Sequence, residues 1–201
     1  MTFNATEAVF NDDSQDLDFR VESNGNTHII HVDAGNDHVN IGGSSDLGGM
    51  LNVAGNVVIS TADNTDTLSL ISTDADANSG PNLRLYRNSS SPADADTIGV
   101  VEFEGRNDNS QDVIYSQMRT VVNDVSDGTE DGQIDIKIMN GGSLNMVASF
   151  KGTETVINDA SIDHDFRVES NGNANMLFVD GGNDHVNIGT ATDLGGVLNV
   201  S

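Results

Sequence analysis

An all-β meander of short strands is what this chain predicts, from a period-two alternation of apolar and polar residues, turn signals a few residues apart, and a stretch written twice. Residues 10–53, FNDDSQDLDFRVESNGNTHIIHVDAGNDHVNIGGSSDLGGMLNV, return as residues 157–200, INDASIDHDFRVESNGNANMLFVDGGNDHVNIGTATDLGGVLNV. The offset is a constant 147 residues without a gap, and 30 of the 44 positions are identical. Duplicated modules build shafts and repeating surfaces, whereas an enzyme needs one asymmetric pocket. The repeat divides the chain into an N-terminal lead (1–9), copy A (10–54), a central block (55–156) and copy B (157–201). No window carries a convincing amphipathic helix.

In copy A, Phe19 and Val21 point one way while Asp18, Arg20 and Glu22 point the other, so Arg20 sits between two acids on one face. His38-Val39-Asn40-Ile41 and Leu51-Asn52-Val53 repeat the alternation. A two-residue Asn36-Asp37 turn is expected between Val32–Asp33 and the strand His38–Ile41. The central block offers strands at Leu83–Arg87, Thr97–Glu104, Asp112–Val122, Gln133–Met139 and Leu144–Lys151, parted by polar loops. Asn24-Gly25, Asp127-Gly128, Asp131-Gly132 and Asn140-Gly141-Gly142 supply the positive φ that hairpin turns require.

Apolar residues make up only 36% of the chain and aromatics 4%, with no Trp, which is too little for a deep core of its own. The regular alternation speaks against disorder, so the fold is expected to borrow its core from partner chains. The net charge of −24 makes nucleic acid an unfavourable partner, because backbone binding needs Lys and Arg, and it disfavours an anionic membrane surface. No run of about 18 apolar residues could span a bilayer. Residues 1–13 lack the basic start and apolar run of a signal peptide, so arrival outside a cell is expected through assembly and lysis or a non-classical route. With no cysteine, disulfides and thiolate chemistry are excluded.

Few residues suggest chemistry. Ala34-Gly35-Asn36-Asp37 and Gly181-Gly182-Asn183-Asp184 resemble the glycine–aspartate repeats that bind calcium in β-rolls, which makes Asp37 and Asp184 the candidate calcium ligands. The third glycine and the nine-residue tandem are missing, and a plain turn is the favoured reading. His28 and His31 are expected on opposite faces of a strand, and copy B replaces them with Asn175 and Phe178. His38 and His185, beside Asp37 and Asp184, occupy equivalent positions; His164 stands alone. Asp124, Asp127, Glu130 and Asp131 share a loop, and Glu102 and Glu104 a strand face, as solvated carboxylates do. No G-x-S-x-G, H-E-x-x-H, phosphate-loop or dinucleotide motif occurs, so no catalytic or cofactor-binding residue is assigned and no enzyme is expected.

The strings DFRVESNGN and MLFVDGGNDHVNIGT, with the Asp-Leu-Gly-Gly and Leu-Asn-Val ending, resemble modules of bacteriophage tail-fibre and fibre-like virion proteins, marine phages especially. The stretch from Pro81 to Met139 resembles the β-rich block between such modules. The resemblance implies a homotrimer, an intertwined β-prism or triple-β fibre, in the virion and outside the cell. Its implied partners are further copies of itself, other virion proteins and a host surface glycan. It transfers no catalytic residue. The chain shows no recognisable receptor-binding tip or intramolecular chaperone. Copy B stops at Val200-Ser201 where copy A continues into Ala54-Gly55-Asn56, which admits end-to-end assembly. The rivals are a calcium-dependent bacterial surface or secreted β-protein, a self-assembling extracellular filament, and a tailspike-like enzyme acting on polysaccharide.

Overall fold

The structure, a computed structural model, describes residues 2–3, 8–11 and 13–200. Among them are fifteen strands and no helix, as the alternation predicts. The chain divides into two compact units, Met1–Asn82 and Leu83–Ser201.

In the first unit β1 (Thr2–Phe3) and β2 (Ala8–Val9) form a short antiparallel pair. Copy A then folds as a four-stranded sheet of β3 (Phe19–Val21), β4 (Ile30–Asp33), β5 (His38–Ile41) and β6 (Leu51–Val53), in that order. The first two pairings are antiparallel and the last is parallel. The β4–β5 connection is four residues, Ala34–Asp37, where two were expected. Asp33 explains the extra length: its carboxylate accepts the Asn36 backbone and side-chain N–H at 3.0 Å each, an Asx turn that spreads the loop. Asp37 closes it at φ 59°, a left-handed conformation that Asp tolerates.

The repeated Asp-Leu-Gly-Gly motif makes the parallel crossover. Asp46 accepts the Gly48 N–H at 2.7 Å, and Gly48 takes φ 89°, which only glycine adopts without strain. Gly49 then donates its N–H to Asn52 Oδ1 at 3.1 Å. The crossover lies across the sheet face that carries His38, Asn40 and Asn52.

In the second unit the central sheet is an antiparallel meander of β7 (Thr97–Arg106), β8 (Asp112–Asp124), β9 (Asp131–Asn140), β10 (Ser143–Lys151) and β11 (Thr155–Ile157). The β9–β10 turn is Gly141-Gly142 with φ 58° and 81°, the two positive values that a type I′ hairpin needs. Four of the five expected strands are present, each extended by no more than two residues at an end. Leu83–Arg87 is not a strand. Its side chains run beside β7, with Leu85 against Gly99 and the Arg87 guanidinium 2.9 Å from Asp96 and 3.2 Å from the Thr97 carbonyl, but no backbone ladder forms. Strand-like alternation supplies a face, whereas a strand also needs a backbone partner.

Copy B repeats the four-stranded order with β12 (Phe166–Val168), β13 (Leu177–Asp180), β14 (His185–Ile188) and β15 (Leu198–Val200), including the parallel last pair.

On the central sheet, Arg119, Asp135 and Ser149 lie in one cross-strand row. Asp135 is fully buried and accepts from Arg119 Nε, Ser149 Oγ and Gln133 Nε2, each at 2.9 Å. Burial pushes its pKa up, but the bonds from Ser149, Arg119 and Gln133 together outweigh it and hold the carboxyl below the usual range. A depressed folded pKa contributes stability that is present above the unfolded value, about 3.9, and lost as pH falls through the folded one. The difference in thermal midpoint between wild type and Asp135→Asn is therefore expected to be widest near neutral pH and to close below about pH 4. A gap that holds constant down to pH 2.5 would show that the carboxylate charge is not what stabilises the row.

Candidate functional site: open apolar faces

Strand pairing sorts each repeat module into three cross-strand rows. In copy A the outer rows are Phe19–Val32–Val39–Leu51 and Val21–Ile30–Ile41–Val53, and the row between them, on the opposite face, is Arg20–His31–Asn40–Asn52. Copy B gives Phe166–Val179–Val186–Leu198, Val168–Leu177–Ile188–Val200 and Arg167–Phe178–Asn187–Asn199. All eight residues of each outer pair of rows are apolar, and they differ between the copies only at Ile30 and Leu177.

The burial is inverted relative to an ordinary domain. The deeply buried residues are polar: His31, Asn40, Asn52, Asp135, Ser149, Asn187 and Asn199, against Val121 and Ala148 on the apolar side. Leu51 is 66% exposed and Leu198 61%, and Phe19, Val21, Ile30, Val32, Phe166, Val168, Ile188 and Val200 are exposed too. The crossover loop roofs the asparagine face, whereas the apolar face stays partly open, with Phe10 against Phe19 on one side of it in copy A. The central sheet, a meander without a crossover, also leaves an apolar face open. Its row Val101–Met118–Ile136–Ala148–Ile157 is apolar across five strands, and Phe103, Met118, Ile134, Ile138, Phe150 and Ile157 on that face are exposed. Contiguous exposed apolar surface on a folded chain marks an interaction surface.

Beneath the roof the asparagines form a relay. In copy A, Asn52 Nδ2 donates to Asn40 Oδ1 at 2.8 Å, Asn40 Nδ2 lies 3.5 Å from His31 Nδ1, and His31 Nε2 lies 3.1 Å from Asp18 Oδ2. A neutral imidazole protonated on Nε2 satisfies both neighbours. The bond from His31, with a second from the Ala34 N–H, lowers the Asp18 pKa. Asp18 therefore pairs with His31, and Arg20 has only Glu22, at 2.6 Å, from the two acids expected beside it. In copy B, Asn199 Nδ2 donates to Asn187 Oδ1 at 2.7 Å, but Phe178 stands where His31 does and the fully buried Asn187 Nδ2 has no partner. His31→Phe should orphan Asn40 in the same way and cost about 1–3 kcal/mol, read as a lower thermal midpoint of copy A. An unchanged midpoint would mean that the relay contributes nothing to stability.

His28 and His31 do not point to opposite faces. Their rings meet edge to face with centroids 5.3 Å apart, because His28 lies in the turn before β4, where strand alternation does not hold. With Asp18, Arg20 and Glu22 they line an open depression of about 530 Å³. His38 Nδ1 stands 3.0 Å from Asp46 and His185 Nδ1 3.2 Å from Asp193, close in distance but misaligned for hydrogen bonds.

Two equivalent hollows, of about 650 and 610 Å³, open between the apolar row and the hairpin turn of each module. Phe19, Val32 and Val39 line one, Phe166, Val179 and Val186 the other, with the calcium candidates Asp37 and Asp184 at the rims. Those two carboxylates are exposed, and among the described residues no three His, Asp or Glu side chains gather around one point. The expected result of titrating calcium into EDTA-stripped protein is no heat; saturable heat at two ions per chain would assign both turns.

Of the four carboxylates expected on one loop, Asp124 ends β8 and Asp131 opens β9, and the turn between these strands is held by its own acids. Asp124 accepts the Ser126 N–H at 2.8 Å and its pKa is lowered, chiefly by Ser126, while Glu130 accepts the Gly128 N–H. A general acid needs the opposite shift. Glu102 accepts from Gln117 Nε2 at 2.7 Å on the polar face of the central sheet. Sequence reasoning missed the asparagine relay. The available signal was Asn in the middle of both HVNI and LNV, where strands disfavour it.

A scan against protein-family models gave no match, and a search of curated proteins found no relative.

Proposed function

We propose that this chain is a structural module of a bacteriophage fibre or virion appendage, whose copies associate through their apolar faces into a homotrimeric β-prism that serves host attachment or surface decoration. The observation that carries the reading is the inverted burial, in which each repeat module hides an asparagine row and leaves eight apolar residues in register on its open face. Fully burying a Val, Leu, Ile or Phe side chain is worth about 1.5–3 kcal/mol, so covering eight that are on average somewhat less than half exposed yields on the order of 5–10 kcal/mol per module. Two modules and the central face together exceed the cost of association, about 4–15 kcal/mol.

Three copies are the number that the resemblance of the repeated strings to fibre modules implies. The negative charge lies away from those faces: none of the outer-row residues is charged. The chain acts mechanically, as a shaft whose polar loops face solvent and whose neighbours are other virion proteins and a host surface glycan. Negative-stain electron microscopy of the purified protein tests this. Uniform elongated particles are expected; single globular particles would overturn it.

A further inference from the structure

We infer that His31 makes copy A a pH switch: a second proton on its imidazole loosens the Asp46–Met50 crossover, and copy B, with Phe178 in that place, has no such switch. The inference stands apart from the assembly proposed above, because every group in it belongs to one module. The relay has a fixed polarity. At one end the Gly49 N–H can only donate, and it donates to Asn52 Oδ1 at 3.1 Å. Asn52 then turns its Nδ2 towards Asn40 Oδ1, at 2.8 Å, and Asn40 turns its own Nδ2 towards His31 Nδ1, at 3.5 Å. At the other end the ionised Asp18 carboxylate can only accept, from His31 Nε2 at 3.1 Å. One donor meets one acceptor at every link only while Nδ1 carries no hydrogen.

A proton on Nδ1 puts one donor too many into the relay. It faces Asn40 Nδ2, and Asn40 is 1% exposed, so solvent does not relieve the conflict. Turning the Asn40 amide over moves the conflict to Asn52, and turning Asn52 moves it to the Gly49 N–H, where the crossover gives way. The groups around His31 set the sign. Asp18, ahead of β3, attracts the cation, but it accepts the same Nε2 hydrogen in both states and its carboxylate is half exposed, so the added attraction is weak. The bonds from His31 and the Ala34 N–H hold Asp18 below the usual carboxylate range, so it stays ionised throughout. Arg20, paired with His31 across the β3–β4 ladder and bound to Glu22, opposes a second cation. His28, in the turn before β4, stands edge-on to His31 and opposes it too once protonated. On β5, His38 faces Asp46 of the crossover, and His185 faces Asp193 in copy B, so that pair acts alike in both modules. The relay is complete with a neutral imidazole and one bond short with a charged one. The Gly49 contact is therefore kept above the range in which histidines titrate, about pH 5–8, and weakened as pH falls through it.

Amide exchange of the full-length chain reads the crossover directly. The protection factor of the Gly49 N–H is compared, from pH 8 to pH 5, with that of its counterpart Gly196, which donates to Asn199 Oδ1 at 3.1 Å. The ratio of Gly49 to Gly196 protection should fall about tenfold, as the loss of one buried hydrogen bond yields. His31→Phe and His31→Gln should both hold the ratio constant with pH. His28→Asn, which gives copy A the residue that copy B has there, should leave the fall in place. Circular dichroism confirms retained β structure in each variant. Nitrogen NMR of the wild-type chain needs no variant: at pH 8 His31 should carry its hydrogen on Nε2 and none on Nδ1. A ratio that stays constant in the wild type, a fall that survives in the His31 variants or vanishes in His28→Asn, or a hydrogen on Nδ1 at pH 8 would each overturn the inference.

Discussion

Leu51→Asp combined with Leu198→Asp is expected to turn the proposed assembly into monomers of 21.2 kDa while leaving each module folded. Both leucines lie on the parallel edge strands and are among the most exposed residues of the apolar rows, at 66% and 61%. In an isolated chain a polar side chain there meets water, and a surface change of this kind stays within about ±0.5 kcal/mol. In a face-to-face assembly each carboxylate is buried without a partner, at an effective cost of several kcal/mol per ion. Every chain carries two, so a trimer carries six, and the loss is comparable with what the burial of the rows leaves after the cost of association. Light scattering reads the mass and far-ultraviolet circular dichroism the fold. An unchanged mass would show that the rows are not the contact surface. Lost circular dichroism would show that the faces are needed within the chain itself.

Asp135→Ala is the substitution with the largest expected effect on the second unit. It removes the acceptor of three side chains at once and strips Arg119 of its partner. Breaking one side of a buried ion pair costs about 3–5 kcal/mol. Arg119 is 28% exposed and can turn partly to water, which places the expectation at the lower end, about 3 kcal/mol. Against a typical domain stability of about 5–15 kcal/mol, that lowers the thermal midpoint by many degrees. Asp135→Asn keeps the shape and can still accept from Ser149, so its cost should be smaller, about 1–2 kcal/mol. Equal destabilisation by Ala and Asn would assign the effect to charge alone, and none from either would remove the row from the list of things that hold the sheet.

The two substitutions mark where the sequence is legible and where it is silent. Alternation finds β7 to β10 within two residues, and it finds the apolar rows through Phe19, Val21, Val39 and Ile41, because period two is a local property of the chain. Pairing is not local. Nothing in Leu51-Asn52-Val53 announces that it lies parallel to β5, and nothing in Leu83–Arg87 announces that its backbone finds no ladder. The turn before β4 defeats the alternation rule at His28 for the same reason, since a residue outside the strand does not obey the strand's geometry.

Which face is closed is the least legible feature and the most consequential. Reading Asn40 and Asn52 as the wet side of a half-buried strand is sound for a sheet with solvent on its polar face. Here the Asp46–Met50 crossover, set by a carboxylate, a positive-φ glycine and the Gly49 N–H bond to Asn52, roofs that face, and Asn52 donates to Asn40 beneath it. The divergence between copies is readable only with that roof in view. His31 completes the relay, whereas Phe178 leaves Asn187 Nδ2 without a partner.

Assembly through the open faces is tested most directly by the molar mass of the purified wild-type chain, measured by multi-angle light scattering across dilution. A mass of three times 21.2 kDa that persists to low micromolar concentration is the expected result. A mass of 21.2 kDa, with β structure intact and the apolar rows left in water, would contradict it.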